Sequence, residues 1–215
     1  MTVSVFLDLD GTLTDPKPGI TSAVIHALKA LGQNAPDADE LEWVIGPPMD
    51  SSFAKLGVSD PQMALDLYRA HYTQGGLFDA YVYDGVLEAL KDIAGQGWKQ
   101  YLATAKPHAY ALKITEHFGL NRWMAAEFGP ELDGTRNDKG ELLAYALDGL
   151  RQDPSTCVMV GDRGSDLRAA RHVGMKFVGV TWGYAQSGEL ENADAICRDP
   201  SHLVSTIAGL GIAQG

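Results

Sequence analysis

The chain is poor in basic residues and cysteine, and it has no long apolar run. Of its 215 residues, 17 are Lys or Arg and 28 are Asp or Glu, so the formal net charge is −11. A nucleic-acid backbone or an anionic membrane requires a basic surface, and we expect neither as a main partner. No apolar run approaches the roughly 18 residues of a membrane-spanning helix. The first residues lack the basic region and cleavage site of a signal peptide, so we expect a soluble, cytoplasmic protein.

The two cysteines, Cys157 and Cys197, form neither a CxxC pair nor a metal-ligand cluster. Both lie in apolar or strand-like segments, which favours buried, reduced thiols. The length of 215 residues fits one domain, or one domain that carries a smaller insertion. Hydrophobic residues at 45% and charged residues at 21% are typical of a globular protein, and no repeat or low-complexity tract is present.

Strand-like and helix-like segments alternate from about residue 82 onward. The predicted strands are Val3–Leu7, Lys99–Ala103, Met124–Phe128, Thr156–Val160, Lys176–Val180 and Asp194–Cys197. The predicted helices are Gly85–Gln96, Pro107–Phe118, Lys139–Leu150, Asp166–Val173 and Pro200–Leu210. This alternation predicts an α/β fold with a Rossmann-like parallel sheet and helices on both of its faces.

Between the first two predicted strands lies a long segment with helical periodicity. Its predicted helices are Thr21–Leu31, Ser51–Leu56 and Pro61–Tyr72. Prolines near residue 16 and glycines near residue 75 mark its ends. We therefore expect an α/β core of residues 1–14 and 82–215, with a small all-helical cap domain, 15–81, inserted after the first strand.

Two aspartates directly follow the first predicted strand. Asp8 and Asp10 are two residues apart in an extended chain, so their side chains point to the same side. Burying carboxylates is costly unless a cation or hydrogen-bond donors compensate them. Gly11 and Thr12 follow in a tight turn whose backbone N–H groups suit a phosphate. A simple turn after a strand is the alternative interpretation of this segment alone.

Other polar residues follow other predicted strands or begin helices. Thr104 and Ala105 follow the strand 99–103, Lys139 begins a helix, and Asp162 and Asp166 follow the strand 156–160. Each alone has a structural explanation, such as a helix cap or a solvated lysine. However, ligands bind outside the carboxyl ends of strands in open parallel sheets. The carboxylates would repel one another there without a cation, and the donor set suits Mg2+.

The ordered set resembles the motifs of the haloacid dehalogenase superfamily, whose members are mostly phosphatases with an aspartate nucleophile. The motif DxDGTLxD matches residues 8–15, the second-motif hydroxyl matches Thr104, and the third-motif lysine matches Lys139. The acidic fourth motif matches Asp162 and Asp166. Segments 45–48, 102–107 and 132–136 further resemble the phosphoglycolate-phosphatase-like branch, which has a helical C1-type cap.

This resemblance implies a Mg2+-dependent phosphatase that forms an aspartyl phosphate. Asp8 would be the nucleophile, and Asp10 would protonate the leaving alcohol and then deprotonate the attacking water. Mg2+ would be held by Asp8, the Asp10 backbone carbonyl and Asp162, while Asp166 would order a metal-bound water. Thr104 and Lys139 would bind the phosphoryl oxygens.

The predicted phosphate-binding residues are Asp8, Gly11, Thr12, Thr104, Ala105 and Lys139. A small phosphorylated metabolite is the expected partner, and a monomer is the default oligomeric state, with a dimer left open. The physiological ester stays open. Substrate specificity is expected to come from the cap, where Gly46, Pro47, Pro48 and Met49 either face the core or form a helix-linking turn. Arg163 either contacts the substrate or covers the surface.

Four alternative functions remain. A haloacid dehalogenase needs neither Mg2+ nor a leaving-group acid, so Asp10 speaks against it. A phosphonatase uses a cap lysine, for which Lys17, Lys29 or Lys55 would serve, but lacks the second aspartate. A sugar phosphomutase of the β-phosphoglucomutase type has the same core residues. A binding module on a phosphatase fold would have lost the nucleophile or the lysine, and neither is lost.

Overall fold

The computed structural model describes residues 2–212 and contains a six-stranded parallel sheet in that range. The strands in chain order are β1 (Ser4–Leu7), β2 (Thr14–Asp15), β3 (Tyr81–Val82), β4 (Lys99–Ala103), β5 (Ala126–Phe128), β6 (Cys157–Gly161), β7 (Lys176–Val180) and β8 (Ala195–Cys197). The large sheet has the order β5-β4-β1-β6-β7-β8, and its pairings are all parallel. The strand β1 therefore lies between β4 and β6.

The α-helices lie on both faces of this sheet and in the segment that follows β2. They are α1 (Lys17–Ala30), α2 (Met49–Lys55), α3 (Pro61–His71), α4 (Val86–Gly95), α5 (His108–His117), α6 (Lys139–Leu150), α7 (Gly164–Val173) and α8 (Leu203–Ala208). The predicted helix over 200–210 is divided, since Pro200–His202 forms a 3-10 turn before α8. None of the helices within residues 2–212 is long and apolar enough to cross a bilayer.

Successive side chains of β1 enter two different hydrophobic clusters. Val5 and Leu7 pack in a cluster with Leu90 of α4, whereas Phe6 packs in a second cluster with Leu143 of α6. Because strand side chains alternate between faces, the two clusters lie on opposite faces of the sheet. Both are buried by helices, and the predicted α/β class with a doubly covered parallel sheet is confirmed. The two cysteines are buried and free, as expected.

The segment from residue 16 to residue 80 is helical, and within it the structure assigns no strand to residues 20–72. The helix predicted over 21–31 begins earlier, at Lys17, because proline is well accommodated in the first turn of a helix. A 3-10 helix, Ala38–Val44, precedes α2, and a single π-turn, Tyr72–Gly76, follows α3.

The sequence pattern predicts no strand for about seventy residues after the first one, and this prediction is wrong. The short strands β2 and β3 pair antiparallel, with Thr14 opposite Val82 and Asp15 opposite Tyr81. Strands of two residues carry no periodicity that a sequence pattern could show. This ribbon lies where the helical segment leaves and rejoins the core, so the two connections are held side by side. The boundaries of a separate cap domain, 15–81, remain a prediction.

Candidate active site

The expected site residues follow three neighbouring strands of the sheet. Asp8 follows β1, Thr104 follows β4 and Asp162 follows β6. The backbone N–H of Asp8 donates to the carbonyl oxygen of Val160 at 3.0 Å, which continues the β1–β6 pairing by one residue. Since β1 lies between β4 and β6, the order of strands brings these side chains to one edge of the sheet.

Three buried carboxylates meet at this edge. Asp8, Asp162 and Asp166 each place an oxygen within 4.8 Å of the others. Lys139, the first residue of α6, lies with its Nζ 2.9 Å from Asp8 Oδ1 and also pairs with Asp166. Three carboxylates beside one ammonium group leave an excess of negative charge.

Burial makes this excess negative charge energetically unfavourable. Burial raises the pKa of Asp162 well above its usual range, and the charges of Asp166 and Asp8 raise it further. Burial also raises the pKa of Asp166, although the ammonium group of Lys139 offsets part of that effect. An all-oxygen donor set with excess negative charge fits a hard divalent cation, which would compensate the carboxylates.

Asp162 is oriented by groups from two loops. Its Oδ2 accepts the backbone N–H of Tyr184 at 2.7 Å, and its Oδ1 accepts the hydroxyl of Thr12 at 3.3 Å. Two glycines make this close packing possible. A Cβ on Gly11, where φ is +82°, would lie 2.2 Å from Asp162 Oδ2, and a Cβ on Gly183 would lie 2.1 Å from the carbonyl oxygen of Gly11. Only glycine fits at these two positions without a shift of the loops.

Asp10 lies outside the three-carboxylate cluster. Its Oδ2 is 2.8 Å from the Nζ of Lys106, and both side chains are buried. Burial raises the pKa of Asp10, and the ammonium group of Lys106 offsets part of that rise. The charge of Asp8 raises the pKa of Asp10 further, so the Asp10 side chain lies near the cluster without being part of it. The backbone carbonyl is the Asp10 atom predicted to bind a metal.

The other predicted phosphate-binding residues lie in the adjacent turns. Thr104 is buried, and its hydroxyl oxygen accepts the backbone N–H of Lys106 at 3.2 Å. Ala105 lines the cavity described below. Gly11 and Thr12 lie in the tight turn after β1, where the hydroxyl of Thr12 is engaged with Asp162.

No role is predicted from the sequence for three residues of this site. Lys106 lies in the segment 102–107 that carries the family resemblance, so the sequence did contain an indication that this residue belongs to the site. Gly183 follows a predicted strand, but a single glycine after a strand is too common to indicate a site. Tyr184 contributes its backbone N–H, which every residue except proline has.

A cavity of about 390 Å³ lies between the helical segment and the core loops, next to Asp10. Its lining includes Asp10, Pro47, Pro48, Met49, Tyr68, Tyr72, Lys106 and Tyr110. The segment 47–49 therefore faces a cavity. Arg163 is buried, pairs with Glu189 at 3.0 Å and donates to the carbonyl oxygen of Ile45, so it does not cover the surface.

Comparison with known proteins decides the family. The family model described as haloacid dehalogenase-like hydrolase matches residues 5–180. The chain belongs to this family.

Similar proteins carry several names. A 5'-nucleotidase of Pseudomonas aeruginosa is 38% identical over 210 residues, which are 96% of this chain and 93% of that protein. The tyrosine-protein kinase PtkA of Mycobacterium tuberculosis is 37% identical over 184 residues, which are 85% of this chain but 63% of PtkA. A phosphoglycolate phosphatase of Colwellia psychrerythraea is 27% identical over 191 residues, or 84% of each chain.

A solved structure agrees with the fold. The crystal structure of a predicted phosphatase from Clostridium acetobutylicum superposes with a TM-score of 0.92 at 32% identity, covering 97% of this chain and 100% of that one. The chain is accordingly a phosphoric monoester hydrolase of the haloacid dehalogenase-like family. The family resemblance predicted from the motifs is confirmed.

Proposed function

We propose that this protein is a Mg2+-dependent phosphatase that hydrolyses a small phosphomonoester through an aspartyl phosphate on Asp8. The observation that carries the proposal is the buried group of Asp8, Asp162 and Asp166, with Lys139 2.9 Å from the nucleophile. These residues supply a nucleophile, a cation site and an ammonium group in one place. Asp10 supplies a fourth buried carboxyl group, near enough for the charge of Asp8 to raise its pKa.

In the first step a carboxylate oxygen of Asp8 attacks phosphorus, and the bond between phosphorus and the leaving oxygen breaks. The proton of Asp10 passes to that oxygen. In the second step Asp10 takes a proton from water, the water oxygen bonds to phosphorus, and the bond to Asp8 breaks. Lys139 and the hydroxyl of Thr104 would bind the phosphoryl oxygens and stabilise their negative charge in both steps.

Asp8, Asp162 and the backbone carbonyl of Asp10 would hold Mg2+, and Asp166 would orient a water on it. The bound ion would supply positive charge that offsets repulsion between the nucleophile and the phosphoryl oxygens. Asp166 also accepts the backbone N–H of Arg163 at 3.0 Å, which fixes its carboxylate. The Oδ1 of Asp8 pairs with the ammonium group of Lys139 at 2.9 Å, which holds this carboxylate beside the other two.

For the substrate class we propose nucleoside 5'-monophosphates. The 5'-nucleotidase of Pseudomonas aeruginosa is more similar to this chain than is the phosphoglycolate phosphatase of Colwellia psychrerythraea. The cavity of about 390 Å³ falls within the range of about 300–1,000 Å³ for pockets that bury a drug-sized ligand. Tyr68, Tyr72 and Tyr110 lie in its wall, and aromatic side chains are common partners of nucleobases.

We also propose that residues 15–81 form a cap that closes over the site. Arg163, in the loop after β6, reaches the carbonyl of Ile45 in the helical segment, so one core residue already contacts the cap side. The hydroxyl of Tyr81 donates to Asp15 at 2.6 Å across the β2–β3 ribbon. Closure would exclude water while the phosphoryl group is transferred to Asp8.

The test is hydrolysis by the purified protein with Mg2+ and after chelation with EDTA. The substrates are a panel of nucleoside 5'-monophosphates, 2-phosphoglycolate, a hexose phosphate and p-nitrophenyl phosphate. We expect metal-dependent release of phosphate and the highest kcat/KM with a nucleotide. Isomerisation of the hexose phosphate would identify a mutase, and a preference for 2-phosphoglycolate would contradict the substrate class.

Asp8→Asn tests the nucleophile, because an amide cannot form the aspartyl phosphate. We expect turnover to be abolished, whereas Asp92→Asn, a control on the exposed face of α4, should keep it. Rapid acid quenching followed by peptide mapping should find the phosphoryl group on Asp8 in the wild type. Steady turnover by Asp8→Asn, full activity without divalent metal, or phosphorylation of another residue would contradict the mechanism.

A further inference from the structure

Lys106 joins the helical segment to the candidate acid. Its Nζ lies 2.8 Å from Asp10 Oδ2 and donates to the hydroxyl of Tyr72 at 2.8 Å. The same ammonium group lies 4.9 Å from the centre of the Tyr72 ring. A lysine at this depth keeps its charge at low cost only if such partners surround it.

The three residues come from different parts of the chain. Asp10 follows β1, Lys106 lies between β4 and α5, and Tyr72 lies at the end of α3 in the helical segment. Tyr72 is itself fixed, because its ring stacks on Tyr68 with centroids 5.3 Å apart and meets the edge of Tyr110 at 6.2 Å. Lys106 is therefore held from the cap side while it holds Asp10.

The two oxygens of Asp10 differ in their surroundings. Oδ2 faces Lys106, whereas Oδ1 is buried and has no hydrogen-bond partner within residues 2–212. Asp10, Lys106 and Tyr72 all line the cavity. Because the ammonium group of Lys106 faces Oδ2, the proton of a neutral Asp10 is favoured on Oδ1, the oxygen that has no donor beside it.

We propose that Lys106 is a positioning residue for the leaving-group step. It fixes the carboxyl group of Asp10 so that Oδ1 faces the departing oxygen of the ester, and the hydroxyl of Tyr72 fixes Lys106 in turn. As the phosphorus–oxygen bond breaks, the proton on Oδ1 passes to the leaving oxygen. This inference rests on the proposed phosphatase function. An alternative is that Lys106 binds the phosphoryl group directly.

The experiment measures kcat/KM, with saturating Mg2+, for a series of phosphates from p-nitrophenyl phosphate to an alkyl phosphate such as glycerol phosphate. This ratio covers the steps through departure of the leaving group, and p-nitrophenolate needs little protonation. For Lys106→Met we expect a loss of about tenfold or more with the alkyl ester, part of the 10²–10⁴-fold that general acids contribute. With p-nitrophenyl phosphate we expect a loss below about threefold. Lys113→Met, on the exposed face of α5, is the control.

Tyr72→Phe is a second variant that keeps the aromatic packing and removes only the hydroxyl group. It should change the dependence on the leaving group in the same direction and by less, and it decides the matter if Lys106→Met does not fold. An equal loss across the series, as expected for direct phosphoryl binding or a purely structural role, would overturn the inference. So would the absence of any loss. If the wild type hydrolyses no ester, the proposed function itself fails, which is a distinguishable result.

Discussion

Replacing Asp162 with Asn should stabilise the metal-free protein and remove its stabilisation by Mg2+. Asp162 is fully buried among like charges, and its pKa is raised for that reason. An Asn side chain is of nearly the same size, and its carbonyl oxygen can still accept the N–H of Tyr184. Its amide group can donate to the hydroxyl of Thr12, which then accepts. The substitution therefore removes charge while it preserves packing and hydrogen bonds.

The expected magnitudes follow from linkage and from the size of the chain. Mg2+ at 100 times its Kd stabilises a folded protein by about 2.7 kcal/mol. One kcal/mol corresponds to about 2–4 °C in a domain of this size, so Mg2+ should raise the wild-type Tm by about 5–11 °C. Removing an uncompensated buried charge should raise the Tm of metal-free Asp162→Asn by a few degrees, since such charges cost on the order of 1 kcal/mol or more.

The stability of the metal-free wild type should fall as the pH rises. The folded pKa of Asp162 lies above the unfolded value of about 3.9. As the pH rises between these two values, the unfolded chain releases its proton first, and the stability of the metal-free wild type falls. The stability of Asp162→Asn should fall less over the same range.

The assay is thermal unfolding followed by circular dichroism, in EDTA and in increasing MgCl2. Asp92→Asn is the control, since it changes an exposed carboxylate and should behave as the wild type. A metal-free Asp162→Asn that melts below the wild type would refute the electrostatic reasoning. A variant that Mg2+ still stabilises by several degrees would refute the assignment of Asp162 as a metal ligand.

Two further substitutions test the loop packing and the cap contact. Gly183→Ala should destabilise the protein by about 1–3 kcal/mol in urea unfolding, because its Cβ would overlap a backbone carbonyl. Gly149→Ala, in an open position of α6, should instead stabilise it by about 0.5–1 kcal/mol. Arg163→Met leaves the carbonyl of Ile45 without this donor, so it should lower the free energy of unfolding by about 1–3 kcal/mol. It should also raise KM. The exposed control Arg198→Met should change neither quantity. Gly183→Ala of wild-type stability, or an unchanged KM for Arg163→Met, would contradict these interpretations.

The main strands and the polar residues after them could be predicted from local patterns. The apolar run before Asp8 and the run before Asp162 are each long enough to indicate a buried strand. Parallel strands bring their carboxyl ends to one edge, so these residues could be expected to meet before the strand order was known. Lys139 could be placed because the periodicity of α6 begins at that residue.

The partners of Asp10 could not be predicted in the same way. The contact between Lys106 and Tyr72 joins residues that are 34 positions apart, and it depends on how the helical segment packs on the core. Periodicity predicts that α3 has a buried face but not which core loop that face meets. The β2–β3 ribbon was missed for a related reason, since two-residue strands are defined by their partner rather than by their own sequence.

The backbone groups that orient the site leave even less trace in the sequence. The N–H of Tyr184 holds Asp162 at 2.7 Å, yet the same hydrogen bond would form with almost any residue at that position. What the position before it requires is the absence of a side chain, because a Cβ on Gly183 would lie 2.5 Å from the same carboxylate oxygen. Carboxylates that converge on a cation can be recognised from their chemistry. In the loop that orients Asp162, the sequence shows only a glycine, Gly183. The role of that glycine becomes clear only once its distance to the Asp162 carboxylate is known.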